Sequence, residues 1–305
     1  MKRAAISPAR AGAVYVLAGA TCISFAPLFV RLDDVGPTAV AFYRLLWGGV
    51  ALAAAAVLRR DRLLPSKPLF LLMVAAAFFF TCDLACWHQS IIYIGPGMAT
   101  IVTNFQVFIL AVTGVVFFKE PMTPRLVISI VMAFAGIWLL VDTNISDMPG
   151  EVAAGLLLGL CTASFYSAYI LTLRRSQSLM DRLPAVSNMA IISLMGMVFS
   201  GILSSLQGQS LIVPSLRSNM LLMLYGFGCQ GFGWLLLSKG LPHLPASRAG
   251  LLMLLQPSLA FLWDILLCGR STSISGYAGA LITLIAISSG VLGKTLPGKT
   301  QHSRT

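Results

Sequence analysis

Arg44 and Asp83 are ionisable side chains standing inside long apolar runs, and an ion in such a run must face a cavity or a partner because hydrocarbon offers it no solvent. Arg44 falls about 10 Å along its run from Pro37 at a rise of 1.5 Å per residue. Asp83 and His88 fall at a similar or deeper level on the next run, so the three can share one layer. A guanidinium in that layer suits an anionic group such as a solute carboxylate, with Asp83 as its counter-ion or as a proton acceptor. The same two residues would serve as a structural ion pair between packed helices, since buried charges need partners whether or not a ligand arrives. Asp83, Trp87 and Ser90 follow helical spacing and form one stripe, which makes Trp87 a candidate aromatic wall. His88 is about 140° away from Asp83 around the helix. It is a candidate for coupling to protons, with hydrogen-bonded packing as the alternative.

The amides Asn104, Gln106 and Gln256 lie within other apolar runs, where each must find a partner on another helix or line a solute path. Pro257 follows Gln256 in mid-run; without an N–H it frees the carbonyl one turn earlier and bends the helix. Tyr43, Tyr166, Tyr169, Trp234 and Trp263 are aromatic candidates for the same path, although interfacial belts also explain such residues. Cys82 and Cys86 stand one turn apart near His88, yet all six cysteines sit in apolar runs, as buried free thiols do. No metal site and no cofactor is expected, because no P-loop, dinucleotide fingerprint or paired-histidine zinc motif occurs.

The elements that carry these residues follow from hydropathy. Mean hydropathy is +0.87 and only 10% of the residues are charged, against about a quarter in a soluble chain. Apolar runs recur at 12–31, 37–58, 68–93, 97–118, 125–142, 152–173, 184–206, 218–238, 245–268 and 274–293. Gly36-Pro37, Gly95-Pro96-Gly97, Pro121 with Pro124, Pro149-Gly150, Pro184 and Pro242 with Pro245 punctuate their ends. The net charge of +11 does not point to nucleic acid, because the basic residues sit in short loops beside the runs. Nearly all of them fall on one side if the N-terminus is cytoplasmic, which places both termini inside. Two sets of five crossings must then run in opposite senses, the arrangement of an inverted repeat. At an offset of 150 residues, Gln106 falls on Gln256 and Glu120 on Arg270.

The stretch Asn104–Glu120 (NFQVFILAVTGVVFFKE), followed by Pro121, Met122, Thr123 and a helix containing Gly136, resembles the fourth and fifth helices of the EamA-type drug/metabolite transporter superfamily. Leu255-Gln256-Pro257 through Gly269-Arg270, followed by Gly276 and Gly290, resembles the second copy. Pro37–Arg44 (PTAVAFYR) and Asp83–Ile91 (DLACWHQSI) resemble the second and third helices. The chain departs from the pattern where the first copy lacks a mid-helix proline around Gln106-Val107, and where Arg270 replaces the second glutamate. The second departure gives Glu120 a local structural role rather than half of a symmetric pair.

The resemblance implies an all-α integral membrane protein of ten transmembrane helices, with a first five-helix repeat over 1–143, a second over 150–295 and a cytoplasmic tail over 296–305. It further implies a secondary transporter in the cytoplasmic membrane that exports or exchanges a small amino acid-like or drug-like solute by alternating access. The partners expected are that solute and the lipid bilayer, with proton coupling through Asp83 or His88. A membrane-embedded enzyme and a passive channel or lipid translocator are the competing readings. No nucleophile-elbow motif supports the enzyme. A fluorescent protein that matures only in the cytoplasm, fused after Thr305, should give fluorescent cells, and alkaline phosphatase fused there should stay inactive; the opposite pair of results would invert every loop.

Overall fold

The computed structural model describes residues 7–32, 35–140, 152–179, 183–268 and 273–292, and these are helical with short connections. In chain order the helices are α1 (Pro8–Ile23), α2 (Ala26–Leu32), α3 (Pro37–Leu58), α4 (Lys67–Thr103), α5 (Gln106–Val116), α6 (Pro124–Leu140), α7 (Val152–Ser178), α8 (Ala185–Leu206), α9 (Leu216–Tyr225), α10 (Trp234–Gly240), α11 (Ala246–Met253), α12 (Leu255–Cys268) and α13 (Ile274–Leu292). A π-helical segment, Gly226–Gly233, joins α9 to α10. Among the described residues, seven helical stretches are long and apolar enough to cross a membrane, and three shorter apolar helices accompany them. Large apolar side chains such as Leu58, Phe117, Leu206 and Ile274 are exposed, while serines and amides are buried. That distribution is what lipid, rather than water, selects, and the chain is a multi-pass membrane protein.

The expected stop at Gly95-Pro96-Gly97 takes a different form. Helical hydrogen bonding continues from Lys67 to Thr103, yet the chain reverses direction within this stretch. Phe80 stacks on Tyr169 of α7 while Tyr93 and Ile94 abut Gly155, so the first part of α4 runs antiparallel to α7. Val102 then abuts Gly159 and Ser167 reaches the Gln106 carbonyl, so the chain beyond runs parallel to α7. A Cβ at Gly159 would stand 2.8 Å from the Val102 side chain and 3.3 Å from Ser90 Oγ. Residues twelve apart in a straight helix would be separated by about 18 Å. The reversal coincides with Gly95-Pro96-Gly97, and a proline, which has no backbone N–H to donate, is where a helix bends sharply.

The two helices that carry the paired glutamines are each interrupted just before them. Phe105, Val107 and Phe108 bond to carbonyls three residues back, and so does Leu254. The break ahead of Gln256 has a visible cause, since Pro257 cannot donate to the carbonyl of Met253. The break ahead of Gln106 forms without a proline. Asn104 and Leu254 are 150 positions apart, as are Pro124 and Ile274, the first residues of α6 and α13.

Small residues bring backbones together around the π-helical segment. A Cβ at Gly226 would lie 2.5 Å from Trp47 Cβ and 2.9 Å from the Gly48 nitrogen, and one at Gly19 would lie 2.7 Å from the Gly233 carbonyl. α3 and α1 thus touch this segment at the distance that only glycine permits. Gly226→Ala should lower stability by about 1–3 kcal/mol through overpacking against backbone. Gly228→Ala, which meets nothing within 4 Å, is the matched control. Thermal unfolding in detergent should separate the two; equal midpoints would refute the close-packing account.

Candidate functional site

α3 delivers Arg44 to a position where only 5% of the residue is exposed. Its Nε donates to Gln230 Oε1 at 3.1 Å and its Nη1 to the Tyr225 hydroxyl at 2.9 Å. The guanidinium also lies over two aromatic faces, 5.1 Å from the Phe80 ring centroid and 5.0 Å from that of Tyr225. Gln230 is held in turn by donating to Ser193 Oγ at 3.0 Å. Gln230 belongs to the π-helical segment, whose wider turn alters which side chains face α3. Every one of these hydrogen-bond partners is neutral.

Asp83 is buried on α4, and it, His88 and Tyr166 are within electrostatic reach of Arg44. The ion pair considered between Arg44 and Asp83 is not formed, because among the described residues no carboxylate approaches the Arg44 guanidinium to salt-bridge distance and its hydrogen bonds go to Gln230 and Tyr225 instead. Arg44 and Asp83 are thus within electrostatic reach of each other without touching. Trp87 and His88 are half-buried with ring centroids 5.2 Å apart. Ser90, the third member of the Asp83 stripe, turns to α7 and donates to the Gly155 carbonyl at 2.9 Å.

An aromatic cluster flanks the guanidinium. Trp234 is 1% exposed and meets Phe80 at 5.3 Å, Tyr169 at 4.7 Å and Tyr166 at 6.1 Å between centroids. Gln256 Nε2 donates to the Tyr166 hydroxyl across a long 3.5 Å. Gln106 and Asn104 are buried at the break before α5. Pro257 and Gln256 are half-buried in the first turn of α12. Among the described residues, Gln106 Oε1, the Tyr169 hydroxyl and Trp234 Nε1 are buried without a hydrogen-bond partner. Buried polar atoms left open are costly, and they are where a polar solute gains most.

Arg44, Trp234, Tyr166 and Tyr169 therefore come together. Gln256 joins them through Tyr166, and Asp83 and His88 through the field of Arg44. Trp87 meets His88 rather than the guanidinium among the described ring contacts. Gln230 and Tyr225 are not among the residues that the sequence marks for binding, whereas Tyr169 is one of its cavity-lining aromatics. Gln230 carried a signal, being an amide in an apolar run, but it stands in a glycine series that reads as close packing. Among the described residues no group of three or more His, Cys, Asp or Glu side chains is placed to hold a metal ion.

Comparison with known proteins gives a consistent picture. The profile described as the EamA-like transporter family matches residues 10–142 and again residues 153–289. A protein of Bacillus subtilis (strain 168), the uncharacterized transporter YwfM, is 26% identical over 258 residues, 84% of either chain. A solved crystal structure at 16% identity superposes with a TM-score of 0.78 over 92% of this chain and 96% of its own, a likeness of fold alone.

Gln230→Leu should destabilise the protein by about 1–3 kcal/mol, since it strands both Arg44 Nε and the Ser193 hydroxyl. Tyr225→Phe keeps the ring under the guanidinium and should cost less. Unfolding midpoints in detergent check the ranking, and a reversed order would mean that Gln230 does not support Arg44.

Proposed function

Because the chain belongs to the EamA-like transporter family, a family of membrane transporters, we propose that it is a secondary carrier exporting a small amino acid-like or drug-like solute across the cytoplasmic membrane by alternating access. The observation that carries this reading is Arg44, a buried cation with neutral partners, facing Asp83 across the region where α3 and α4 meet α7, α9 and the π-helical segment. An anionic group on the solute would take the open charge of Arg44, and the flat aromatic cluster would receive its apolar body. Gln106, Gln256, Tyr169 and Trp234 would supply the remaining polar contacts.

Two five-helix repeats of opposite sense, over 1–143 and 150–295 with a cytoplasmic tail over 296–305, are proposed as the rocking units. What supports this is that the family profile matches twice. The seven long and three shorter apolar helices and the interruptions 150 residues apart support it as well. In this reading Asp83, with His88 nearby, couples flux to protons, and both termini are cytoplasmic.

Purified carrier in proteoliposomes, assayed by counterflow against a panel of labelled amino acids and cationic drugs, tests the proposal. Wild type should show saturable, counterflow-competent flux. Arg44→Gln should lose it by about tenfold or more if it removes one charge-assisted contact to the solute. Asp83→Asn should keep exchange while losing its response to a pH gradient. Product formation without flux would favour an enzyme, and non-saturable flux a channel.

A further inference from the structure

Glu120 lies outside the solute site, in the connection that follows α5. It follows α5 after Lys119, whose φ of 51° turns the chain back, and its N–H bonds to the Gly114 carbonyl at 2.9 Å. A Cβ at Gly114 would collide with the Glu120 carboxylate, so the carboxylate lies flat against α5. From there it reaches the far half of the chain. Oε1 accepts from the Ala246 N–H at 2.7 Å, and Oε2 accepts from the Ser247 N–H at 3.3 Å and the Ser247 hydroxyl at 3.0 Å.

These are the first residues of α11, whose own N-cap, Pro245, supplies no side-chain acceptor. A helix start needs an acceptor for its free N–H groups and favours negative charge, so α11 borrows its cap from a residue 126 positions earlier. Arg174, near the end of α7, closes the group: Nη1 stands 3.5 Å from Glu120 Oε1 and its guanidinium lies 5.2 Å from the Phe118 ring centroid. One carboxylate, with its side chain 10% exposed, thus ties the end of α5 to the end of α7 and the start of α11. In the proposed topology all three ends are cytoplasmic. The position 150 residues on is Arg270, so the sequence does not repeat this carboxylate at the equivalent place in the second half.

We propose that Glu120 is a clasp between the two halves, holding the cytoplasmic ends of α5, α7 and α11 together and favouring the state closed on that side. This deepens the carrier reading, because opening toward the cytoplasm must then break the Glu120 contacts to Ala246, Ser247 and Arg174.

Amide hydrogen exchange of the full-length protein in lipid nanodiscs separates a clasp from a mere helix cap. Glu120→Ala should raise exchange roughly tenfold in peptides spanning 108–118 and 246–253. Glu120→Gln, which keeps one acceptor oxygen but no charge, should raise it less and guards against a misfolded alanine variant. Adding Pro245→Asp to Glu120→Ala supplies a local cap: it should restore protection to 249–253 and leave 108–118 exposed. Restoration of both segments would reduce Glu120 to a cap and overturn the proposal, as would unchanged exchange in both single variants. Counterflow on the same preparations keeps the two readings apart. A wild type without flux removes the carrier while the exchange pattern still judges the clasp.

Discussion

A guanidinium enclosed by helices that pass through lipid must have its charge met from inside the protein, and much of this structure is arranged around that requirement at Arg44. The price of an arginine at bilayer depth ranges from about 3 kcal/mol on insertion scales to above 10 for an isolated helix. Two hydrogen bonds to neutral oxygens and two aromatic faces offset that cost by about 1.5–3 and 0.5–2 kcal/mol apiece. They satisfy donors without supplying a negative charge. The arrangement holds the cation in place and leaves its charge for something else to meet.

Gln230 reaches Arg44 from the π-helical segment, where glycines let α3 and α1 approach backbone to backbone. A larger residue at Gly48 or Gly226 would push the segment away and lengthen the Arg44–Gln230 bond. Phe80 is shared between the guanidinium and Tyr169, and Tyr169 between Phe80 and Trp234. In the proposed function, a change of solute contact at the aromatic cluster would thereby be felt at Arg44. Such shared contacts would connect binding to the relative placement of helices from both halves, as the proposed rocking requires.

The apolar runs were legible because lipid imposes both length and composition on any crossing helix, and Pro257 announced its break because a missing donor acts locally. Arg44 and Asp83 were legible for the same reason, being costly where they stand. Their partners were not. Gln230 lies 186 positions from Arg44, and its approach depends on a π-helical turn that no spacing rule for an α-helix anticipates. Gly95-Pro96-Gly97 reads in the sequence as the end of a run, and the chain reverses direction across it without leaving helical backbone. Glu120 showed only as the member of a pair that its counterpart, Arg270, does not complete. Its true partners, Ala246 and Ser247, are set by tertiary packing.

In the proposed function the open charge of Arg44 receives an anionic group of the transported solute. A structure of the carrier with the solute identified by flux tests it most directly. The anionic group should lie about 3 Å from the guanidinium, with the rest of the molecule against Tyr169 and Trp234. A solute seated away from this cluster, with Arg44 still held by Gln230 and Tyr225 alone, would contradict the account.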